Sequence, residues 1–357
     1  MRTWITASLL GVAVTAQQTF TSPANMATTE GSGSYGYVLG AASAVRWQQV
    51  DATLRGAGYQ NIHSIAFRRD GVLATNAAFG PRVLQGLCVW MAHASLPAIR
   101  KEQDANYKDT PVLVFTPKDV NAPDWSTRPA SGTAPFDLRL PLDTPWNYNG
   151  SDDLLWEVQI VDVSQAPGTV LSYPFDFTPG TGALQTATTG VSVGTGCLAT
   201  GQTTNRFTLH GSIANERSRF RLRHSTNFAP PSGPVLTFLD FVDSNLGVAG
   251  LCAVLHALPT VVLDMGVAST TGGVPSSYVE IPYEPAAIGF SLYLQAVAAD
   301  AAQGTFGVAV SQGSRVTVPA APALPGVAHA VSHARPGGLL RYAAVAPGGI
   351  IAQFEAN

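Results

Sequence analysis

Four arginines at every second position are the most distinctive chemical pattern of this chain: Arg217, Arg219, Arg221 and Arg223. If the segment is a β-strand, the arginines share one face of the sheet, and Phe220 and Leu222 face the core. A guanidinium group binds carboxylate, sulfate or phosphate through paired hydrogen bonds. The pattern therefore predicts a face that binds an acidic polysaccharide, a cell-surface glycan or the acidic patch of another subunit. The alternative is a solvated edge strand, whose charges discourage aggregation.

A loop rich in oxygen-bearing side chains, from residue 147 to residue 153, is the second candidate site. Calcium prefers hard oxygen ligands from carboxylates, amides and carbonyls. We therefore consider one structural Ca²⁺ ion, and no other cofactor, with the ligands Asn147, Asn149, Asp152 and Asp153. The alternative is a turn, because Asn and Asp side chains readily hydrogen-bond to the backbone at the start of a strand.

Two aromatic side chains, Trp146 and Tyr148, stand beside this loop in the sequence. An aromatic ring with a polar edge packs well against the apolar face of a sugar, so both residues are candidates for sugar stacking. The same residue types also serve as core residues of a β-sandwich. The sequence leaves both interpretations open.

The chain has three cysteines, which suits one disulfide and one free thiol in an oxidising compartment. Cys197 and Cys252 both follow glycine-bearing turns in the same half of the chain, so we predict that they form the disulfide. Closing this loop stabilises a fold by about 4 kcal/mol on the chain-entropy estimate. Cys88 lies in an apolar stretch and is predicted to be a buried free thiol. The alternative for Cys88 is a reactive nucleophile.

No set of residues in the sequence makes a coherent catalytic site. The G-x-S-x-G pattern at 190–194 is not followed by the helical pattern that a nucleophile elbow requires. A glycosidase needs two carboxyl groups about 5–9.5 Å apart, and no spacing pairs Glu157, Asp240 or Asp243. Alternation within 154–161 predicts that Glu157 is an ordinary exposed strand position. An extracellular polysaccharide hydrolase or lyase, with its site in the first domain, is kept as the alternative function.

The elements that would hold these residues are short β-strands. Segments rich in β-branched, leucine and aromatic residues recur between Gly/Pro-rich turns, as at 111–116 and 235–242. This spacing predicts an all-β protein with two antiparallel, jelly-roll-like β-sandwich domains. We expect the first domain at 17–164 and the second at 171–319. A Pro/Gly linker and a small C-terminal hairpin, turning at Pro347-Gly348, would fill 320–357 and dock on a sandwich.

The first sixteen residues have the pattern of a secretory signal peptide. Arg2 supplies a positive charge, residues 5–14 form an apolar run too short to span a bilayer, and cleavage is expected after Ala16. We therefore predict a secreted or cell-surface protein. The net charge of −3 argues against nucleic-acid binding, which needs a strong basic field. No second long apolar run occurs in the sequence, so no integral membrane segment is expected.

Several segments of the first half resemble large secreted protein families of planctomycete-type and myxobacterium-type bacteria. The matching segments are 46–50, 62–71, 135–137, 140–148 and 154–158. The second half, from Gly196 to Gln295, resembles the module that often follows in those families. The resemblance covers most of the mature chain, and it implies two β-sandwich domains of unassigned function.

The leader, the strand pattern and the lack of a catalytic set together favour a secreted, non-catalytic protein. Its predicted role is adhesion or matrix binding, with an acidic polysaccharide or cell-surface glycan as the ligand. Homo-oligomers are compatible with this prediction, and the sequence does not identify the glycan.

Overall fold

The computed structural model describes residues 18–35, 44–130, 132–164, 173–180, 185–217, 219–324, 326–334 and 340–357. Within these ranges the helices are four short 3-10 turns, at Ala77–Phe79, Leu96–Ala98, Gln103–Asn106 and Pro285–Ala287. The other regular elements are β-strands in antiparallel pairs, so the all-β prediction is confirmed. None of the described helices is long and apolar enough to cross a membrane. The predicted leader, residues 1–16, lies outside the described ranges.

Two compact units make up the chain. The first unit combines Met1–Thr181 with Leu324–Asn357, and the second unit is Gly182–Ala323. The second unit is therefore inserted in the sequence of the first. This division differs from the one expected for 320–357, because most of that segment forms strands of the first unit rather than a separate linker and hairpin.

The strands of the described chain fall into three groups along the sequence. Before the second unit come β1 (Gln18–Ser22), β2 (Gly33–Tyr35), β3 (Ala44–Asp51), β4 (Gln60–Phe67), β5 (Arg82–Ala94), β6 (Val112–Ala122), β7 (Leu138–Tyr148), β8 (Asp153–Ile160), β9 (Asp162–Ser164) and β10 (Phe175–Pro179). The second unit holds β11 (Thr186–Thr189), β12 (Val191–Val193), β13 (Thr208–Asn215), β14 (Arg219–Asn227), β15 (Pro234–Asp240), β16 (Val261–Val267), β17 (Val274–Pro282), β18 (Ser291–Ala299) and β19 (Val308–Thr317). After it come β20 (Val327–Ala334), β21 (Leu340–Ile350) and β22 (Ala352–Ala356).

The first unit is a sandwich that the C-terminal strands complete. One sheet has the strand order β1-β22-β4-β7, and the larger has β2-β10-β21-β20-β3-β8-β5-β6, with β9 beside β5. β22 lies between β1 and β4, and β20 lies between β3 and β21. Pro347 and Gly348 are inside β21, so the predicted hairpin turn at these residues is wrong. β21 pairs antiparallel with β20, the strand that precedes it in the sequence.

Large aromatic side chains fill the space between the two sheets of the first unit: Trp47, Phe67, Trp156, Phe175 and Phe354. The larger sheet also buries apolar side chains on its outer face, because residues 95–107, which we call the cover, lie against it. Leu96 and Ile99 of the cover belong to the same buried cluster as Val50 and Leu155 of the sheet. The sheet is therefore buried on both sides where the cover lies.

Two adjacent arginines that directly follow β4, Arg68 and Arg69, hold irregular segments of the first unit in place. Arg68 is buried and pairs with the buried Asp176 at 2.6 Å. Arg69 is also buried, and its Nε donates to the backbone O of Trp125 at 2.7 Å. The two guanidinium groups also donate to further carbonyls of irregular segments, which satisfies backbone acceptors away from water.

The second unit is also a sandwich, with sheets of order β11-β13-β14-β17 and β12-β19-β18-β15-β16. Its core lies between these sheets and includes Phe207, Phe220, Leu222, Leu294 and Val310.

The cysteines behave as the sequence predicts. Cys197 and Cys252 form a disulfide in the second unit, with Cα atoms 5.4 Å apart. Cys88 is a free, buried thiol of β5 in the first unit. Burial raises the pKa of the Cys88 thiol, which opposes its alternative role as a reactive nucleophile, since that role needs a thiolate.

Candidate ligand-binding face

The arginine segment forms β14 in the four-stranded sheet of the second unit. Phe220 and Leu222 are buried in the core, and Arg219, Arg221 and Arg223 point to the outward side of the sheet. The local sequence dictates this arrangement, because apolar and charged residues alternate with the period of a strand. We call the surface formed by these three arginines the arginine face.

Arg217 does not belong to the arginine face, so the prediction that it shares that face is wrong. It precedes β14, in the turn after β13, and has a left-handed φ of 57°. Because the turn interrupts the strand alternation, the Arg217 side chain is buried, and its Nε donates to the backbone O of Pro322 at 3.0 Å. Burial lowers the pKa of this guanidinium group.

Two glutamates neutralise much of the charge of the arginine face. Glu216 contacts Arg219 at 2.7 Å and Arg221 at 3.3 Å. Glu280 contacts the same two arginines at 2.8 Å and 3.7 Å. The hydrogen bond that Arg219 donates to Glu216 raises the pKa of the guanidinium. The pairs are partly exposed and individually weak, but together they hold two of the three guanidinium groups in place.

Arg223 is the exposed member of the arginine face, and no carboxylate of the described chain lies within ion-pair distance of it. Directly opposite it in the neighbouring strands are Ser212 of β13 and Tyr278 of β17. Tyr278 is 62% exposed, and the Cζ atom of Arg221 lies 5.2 Å from its ring centroid. A groove of about 450 Å³ joins these residues and is lined by Gln185, Ala187, Ser212, Ala214, Arg221, Arg223, Ser276 and Tyr278.

The groove combines the groups that bind a polar ring. The small side chains of Ala187, Ser212 and Ala214 leave room above the sheet. Tyr278 offers an aromatic surface, and Arg223 offers a planar fork of hydrogen-bond donors. The volume of the groove lies within the range of about 300–1,000 Å³ that small-molecule sites occupy.

The predicted sugar-stacking residues are elsewhere and inaccessible. Trp146 and Tyr148 are both buried in the core of the first unit. The Tyr148 hydroxyl donates to the backbone O of Asp152 at 2.7 Å, and burial raises its pKa to about 12. The stacking prediction is therefore wrong for this pair, because strand alternation turns both rings to the core and the intervening Asn147 to solvent.

The four candidate calcium ligands do not converge on one ion. Asn147 lies on the opposite face of β7 from its neighbours, and Oδ1 of Asn149 accepts from the backbone N of Ser151 and of Asp152, both at 2.9 Å. Asp152 pairs with a lysine and Asp153 with an arginine. These contacts are those of the alternative, an Asx turn. Across the described ranges, no three His, Cys, Asp or Glu side chains are grouped to hold a metal.

The G-x-S-x-G segment is a strand and a turn. Ser192 lies in β12, where its neighbour Val193 pairs with Gly313. A Cβ atom on Gly313 would lie 2.8 Å from Cβ of His256, so His256 is on the side of Val193, and alternation turns Ser192 to the other side. His256 Nδ1 lies 2.9 Å from Oδ1 of Asp243. Ser192 points to the other side of β12, so it does not join this pair.

Glu157 was expected to be exposed, and this expectation is wrong. It points from β8 to the outer face of the larger sheet, where the cover buries it completely. Its carboxylate accepts five hydrogen bonds, from Arg46 twice and from Gln48, Tyr107 and Gln159, at 2.6–3.1 Å. Burial opposes the charge of Arg46, but the hydrogen bonds and charge of Glu157 outweigh it and raise the Arg46 pKa. We call these five residues the buried cluster, after the buried Glu157 and Gln48 at its centre; Arg46, Tyr107 and Gln159 are half-buried.

A second groove, of about 710 Å³, lies beside the buried cluster in the first unit. Its charged lining residues are Arg46, Lys101, Glu102 and Asp104. Glu102 pairs with Lys101 at 3.7 Å, and Asp104 pairs with Arg46 at 2.7 Å. Both carboxylates are at least half exposed and each has a cation partner, so neither lies in the apolar, uncompensated surroundings that make a general acid.

Sequence reasoning missed the partners of the arginine face. Tyr278 and Glu280 alternate with Val279 and Ile281 in β17, and this period of two was a usable signal for a half-exposed strand. The sequence does not give the register that sets Tyr278 opposite Arg223. Glu216 carries no local signal, because its role depends on how tightly the hairpin turns.

The fold and the groove define an all-β protein with two sandwich units and an exposed polar sheet face. No protein-family description and no curated protein matches this chain. Among solved structures, the f-lectin (fucolectin) from striped bass (Morone saxatilis) serum aligns with 10% sequence identity and a TM-score of 0.15, over 87% of this chain and 84% of that chain. A similarity of this size carries no argument about fold or ligand.

Proposed function

We propose that this chain is a secreted, non-catalytic protein that binds glycans, with a role in adhesion or matrix binding. The observation that carries the proposal is the groove of the second unit. There an exposed aromatic ring, Tyr278, and a guanidinium group, Arg223, stand directly opposite each other on neighbouring strands. Arg223 has no ion-pair partner among the described carboxylates, so its donors are free for a ligand.

The chemistry of the groove supports a sugar as the ligand. A sugar ring has an apolar face, which an aromatic side chain covers, and hydroxyl groups, which need hydrogen-bond partners. Ser212, Ser276 and Gln185 line the groove and supply hydroxyl and amide groups for those hydroxyls. Ser212 and Ser276 stand on strands of the sheet, which fixes their backbone positions and lowers the ordering cost of binding.

Secretion is supported by two independent features. The first sixteen residues have the composition of a signal peptide. The Cys197–Cys252 disulfide suits an oxidising compartment outside the cytoplasm.

Binding of the purified mature protein to a glycan array tests the proposed function. We expect bound glycans to lose signal roughly fivefold in the Tyr278→Ser variant, because the stacked ring is lost. Tyr59→Ser is the matched control: Tyr59 is 64% exposed, but it lies in the first unit, and its loss should leave the signal unchanged. An array without bound glycans, or an equal loss in both variants, would contradict the proposal.

The alternative function, a polysaccharide hydrolase or lyase, has its candidate place in the groove lined by Glu102 and Asp104. We expect no release of reducing ends when the protein is incubated with neutral and acidic polysaccharides, because both carboxylates are ion-paired. Turnover that Glu102→Gln abolishes would establish the enzyme and overturn the non-catalytic proposal.

A further inference from the structure

We infer that the groove selects a sugar carrying one anionic group, a carboxylate or a sulfate, and that Arg223 is the arginine that binds this group. The inference rests on the proposed function, because it names the class of glycan held at the same groove. Tyr278 packs against the ring of the same sugar.

The arginine face has three cations, but only one of them is open to an anion. Arg219 and Arg221 are each paired with both Glu216 and Glu280. An anion that approached these two arginines would meet two carboxylates of its own charge, and like charges at close range cost free energy. The two glutamates therefore restrict anion binding to the middle of β14, where Arg223 stands.

The register of the sheet places the charged and the aromatic contact within reach of one sugar unit. Arg223 and Tyr278 are direct cross-strand partners, and such partners on one face of a sheet have Cβ atoms about 4.5–5.5 Å apart. A single ring stacked on Tyr278 thus presents an attached carboxylate or sulfate to Arg223. The planar guanidinium matches such a group with two parallel hydrogen bonds.

Arg221 holds the ring of Tyr278 in the position that this ligand needs. Its guanidinium is held by Glu216 and Glu280 while lying 5.2 Å from the ring centroid of Tyr278. A cation at this distance from an aromatic ring is attracted to it, so Arg221 fixes the ring next to Arg223. In this account Arg221 is a positioning residue, and Arg223 is the residue that touches the anion.

Calorimetric titration with two matched oligosaccharides tests the inference: a uronic-acid trisaccharide and its neutral, carboxyl-reduced counterpart. A sulfated trisaccharide is titrated in parallel to compare the two anionic groups. We expect Arg223→Gln to weaken binding of the anionic ligands roughly tenfold, because a charge-assisted hydrogen-bond pair is lost. Binding of the neutral ligand should not change.

Two arginine variants serve as controls for a nonspecific loss of charge. Arg219→Gln removes a paired arginine from the same strand and face, and Arg315→Gln removes an exposed arginine of β19 in the other sheet. We expect each to change the affinity for the anionic ligands by less than about threefold, because neither arginine contacts the ligand in this assignment and exposed charges are screened by salt. A loss with Arg219→Gln or Arg315→Gln as large as that with Arg223→Gln would overturn the assignment to Arg223.

The outcomes separate this inference from the proposed function. Tight, Arg223-dependent binding of either anionic ligand supports the inference. Equal affinity for the anionic and the neutral ligands would overturn the inference and leave glycan binding standing. Binding of none of the three ligands, together with an empty glycan array, would overturn the proposed function itself.

Discussion

Both units of this protein place arginines beside glutamates on the outer side of a sheet, but the two sets have opposite surroundings. In the first unit, Arg46 meets Glu157 beneath the cover, and the carboxylate has no contact with solvent. In the second unit, Arg219 and Arg221 are about one-third exposed where they meet Glu216 and Glu280, and the Glu280 carboxylate is 45% exposed. The same pairs of residue types are thus used once inside the fold and once on its surface.

The difference in burial decides how much each set of residues contributes to the free energy of unfolding. A buried ion pair costs desolvation to form, but removing one partner leaves the other charge or its hydrogen-bond donors without a partner, at about 3–5 kcal/mol. An exposed pair contributes only about 0–1 kcal/mol, and salt screens it. The buried cluster therefore fixes the cover to the sheet, whereas the ion pairs of the arginine face add little stability and leave Arg223 available to a ligand.

The largest effect is expected where the buried cluster loses its carboxylate. Glu157→Ala removes the acceptor of five hydrogen bonds, so we expect the free energy of unfolding of the first unit to fall by about 3–5 kcal/mol. Tryptophan fluorescence during denaturant unfolding measures this unit selectively, because the second unit has no tryptophan, whereas the first holds Trp47, Trp90, Trp125, Trp146 and Trp156. Glu102→Ala, an exposed pair in the same unit, is the control and should cost less than about 1 kcal/mol. Equal losses of stability in the two variants would contradict the difference between the buried and the exposed carboxylate.

The second unit relies on a covalent link. Replacing both Cys197 and Cys252 by serine should lower its free energy of unfolding by about 4 kcal/mol, because the unfolded chain then regains the entropy of an open loop. Calorimetry of the double variant should show one shifted transition while the fluorescence transition of the first unit stays in place. A shift of both transitions, or of neither, would show that the units are not stabilised separately.

The stability of the first unit also depends on pH. His329 of β20 is stacked on Trp47 with ring centroids 4.2 Å apart, and burial lowers its pKa to about 4. In the unfolded chain His329 binds a proton below about pH 6.5, whereas in the folded chain it stays neutral down to about pH 4. The contribution of neutral His329 to the free energy of unfolding is therefore complete above about pH 6.5. It falls by about 3 kcal/mol as the pH drops to 4.

The measurement for His329 is a difference between two proteins. We compare unfolding of the first unit from pH 7 to pH 4 in the native chain and in His329→Gln. The difference cancels the opposite contribution of Asp51, whose burial raises its pKa to about 6 and which therefore stabilises the fold as the pH falls. Identical pH dependence in the two proteins would mean that the pKa of His329 is the same in the folded and the unfolded chain.

The smallest effect on stability is expected on the open face. Glu280→Gln removes one exposed carboxylate and should change the free energy of unfolding by less than about 1 kcal/mol. It also leaves Arg219 and Arg221 less neutralised, so we expect the affinity for an acidic oligosaccharide to rise about two- to threefold and to become more sensitive to salt. A loss of affinity would show that Glu280 contacts the ligand instead of the arginines.

Much of the fold could be predicted because it follows from local patterns. Alternation in the arginine segment gave the strand and its two faces, and turn-flanked cysteines indicated the disulfide. The same rule failed at Arg217, because a left-handed turn residue breaks the alternation just before the strand begins. Inside a strand, local patterns therefore give the face on which a residue lies, and at the ends of a strand they do not.

The remaining errors come from contacts between distant segments. Alternation correctly turned Glu157 away from Trp156, but it could not show that the cover, some fifty residues earlier, lies over that face. It also could not decide whether Trp146 and Tyr148 face the core or solvent, since either face of β7 satisfies the pattern. Tyr278 lies opposite Arg223 because of the register between β14 and β17, which no local sequence pattern gives.

The most direct test of the account compares one variant from each set in the same binding assay. The affinity for a uronic-acid oligosaccharide is measured for Arg223→Gln and Glu157→Ala, at a temperature below every calorimetric unfolding transition of both variants. We expect a roughly tenfold loss of affinity for Arg223→Gln and no loss for Glu157→Ala. Loss of binding in Glu157→Ala with full binding in Arg223→Gln would contradict it, and would move the ligand site to the first unit.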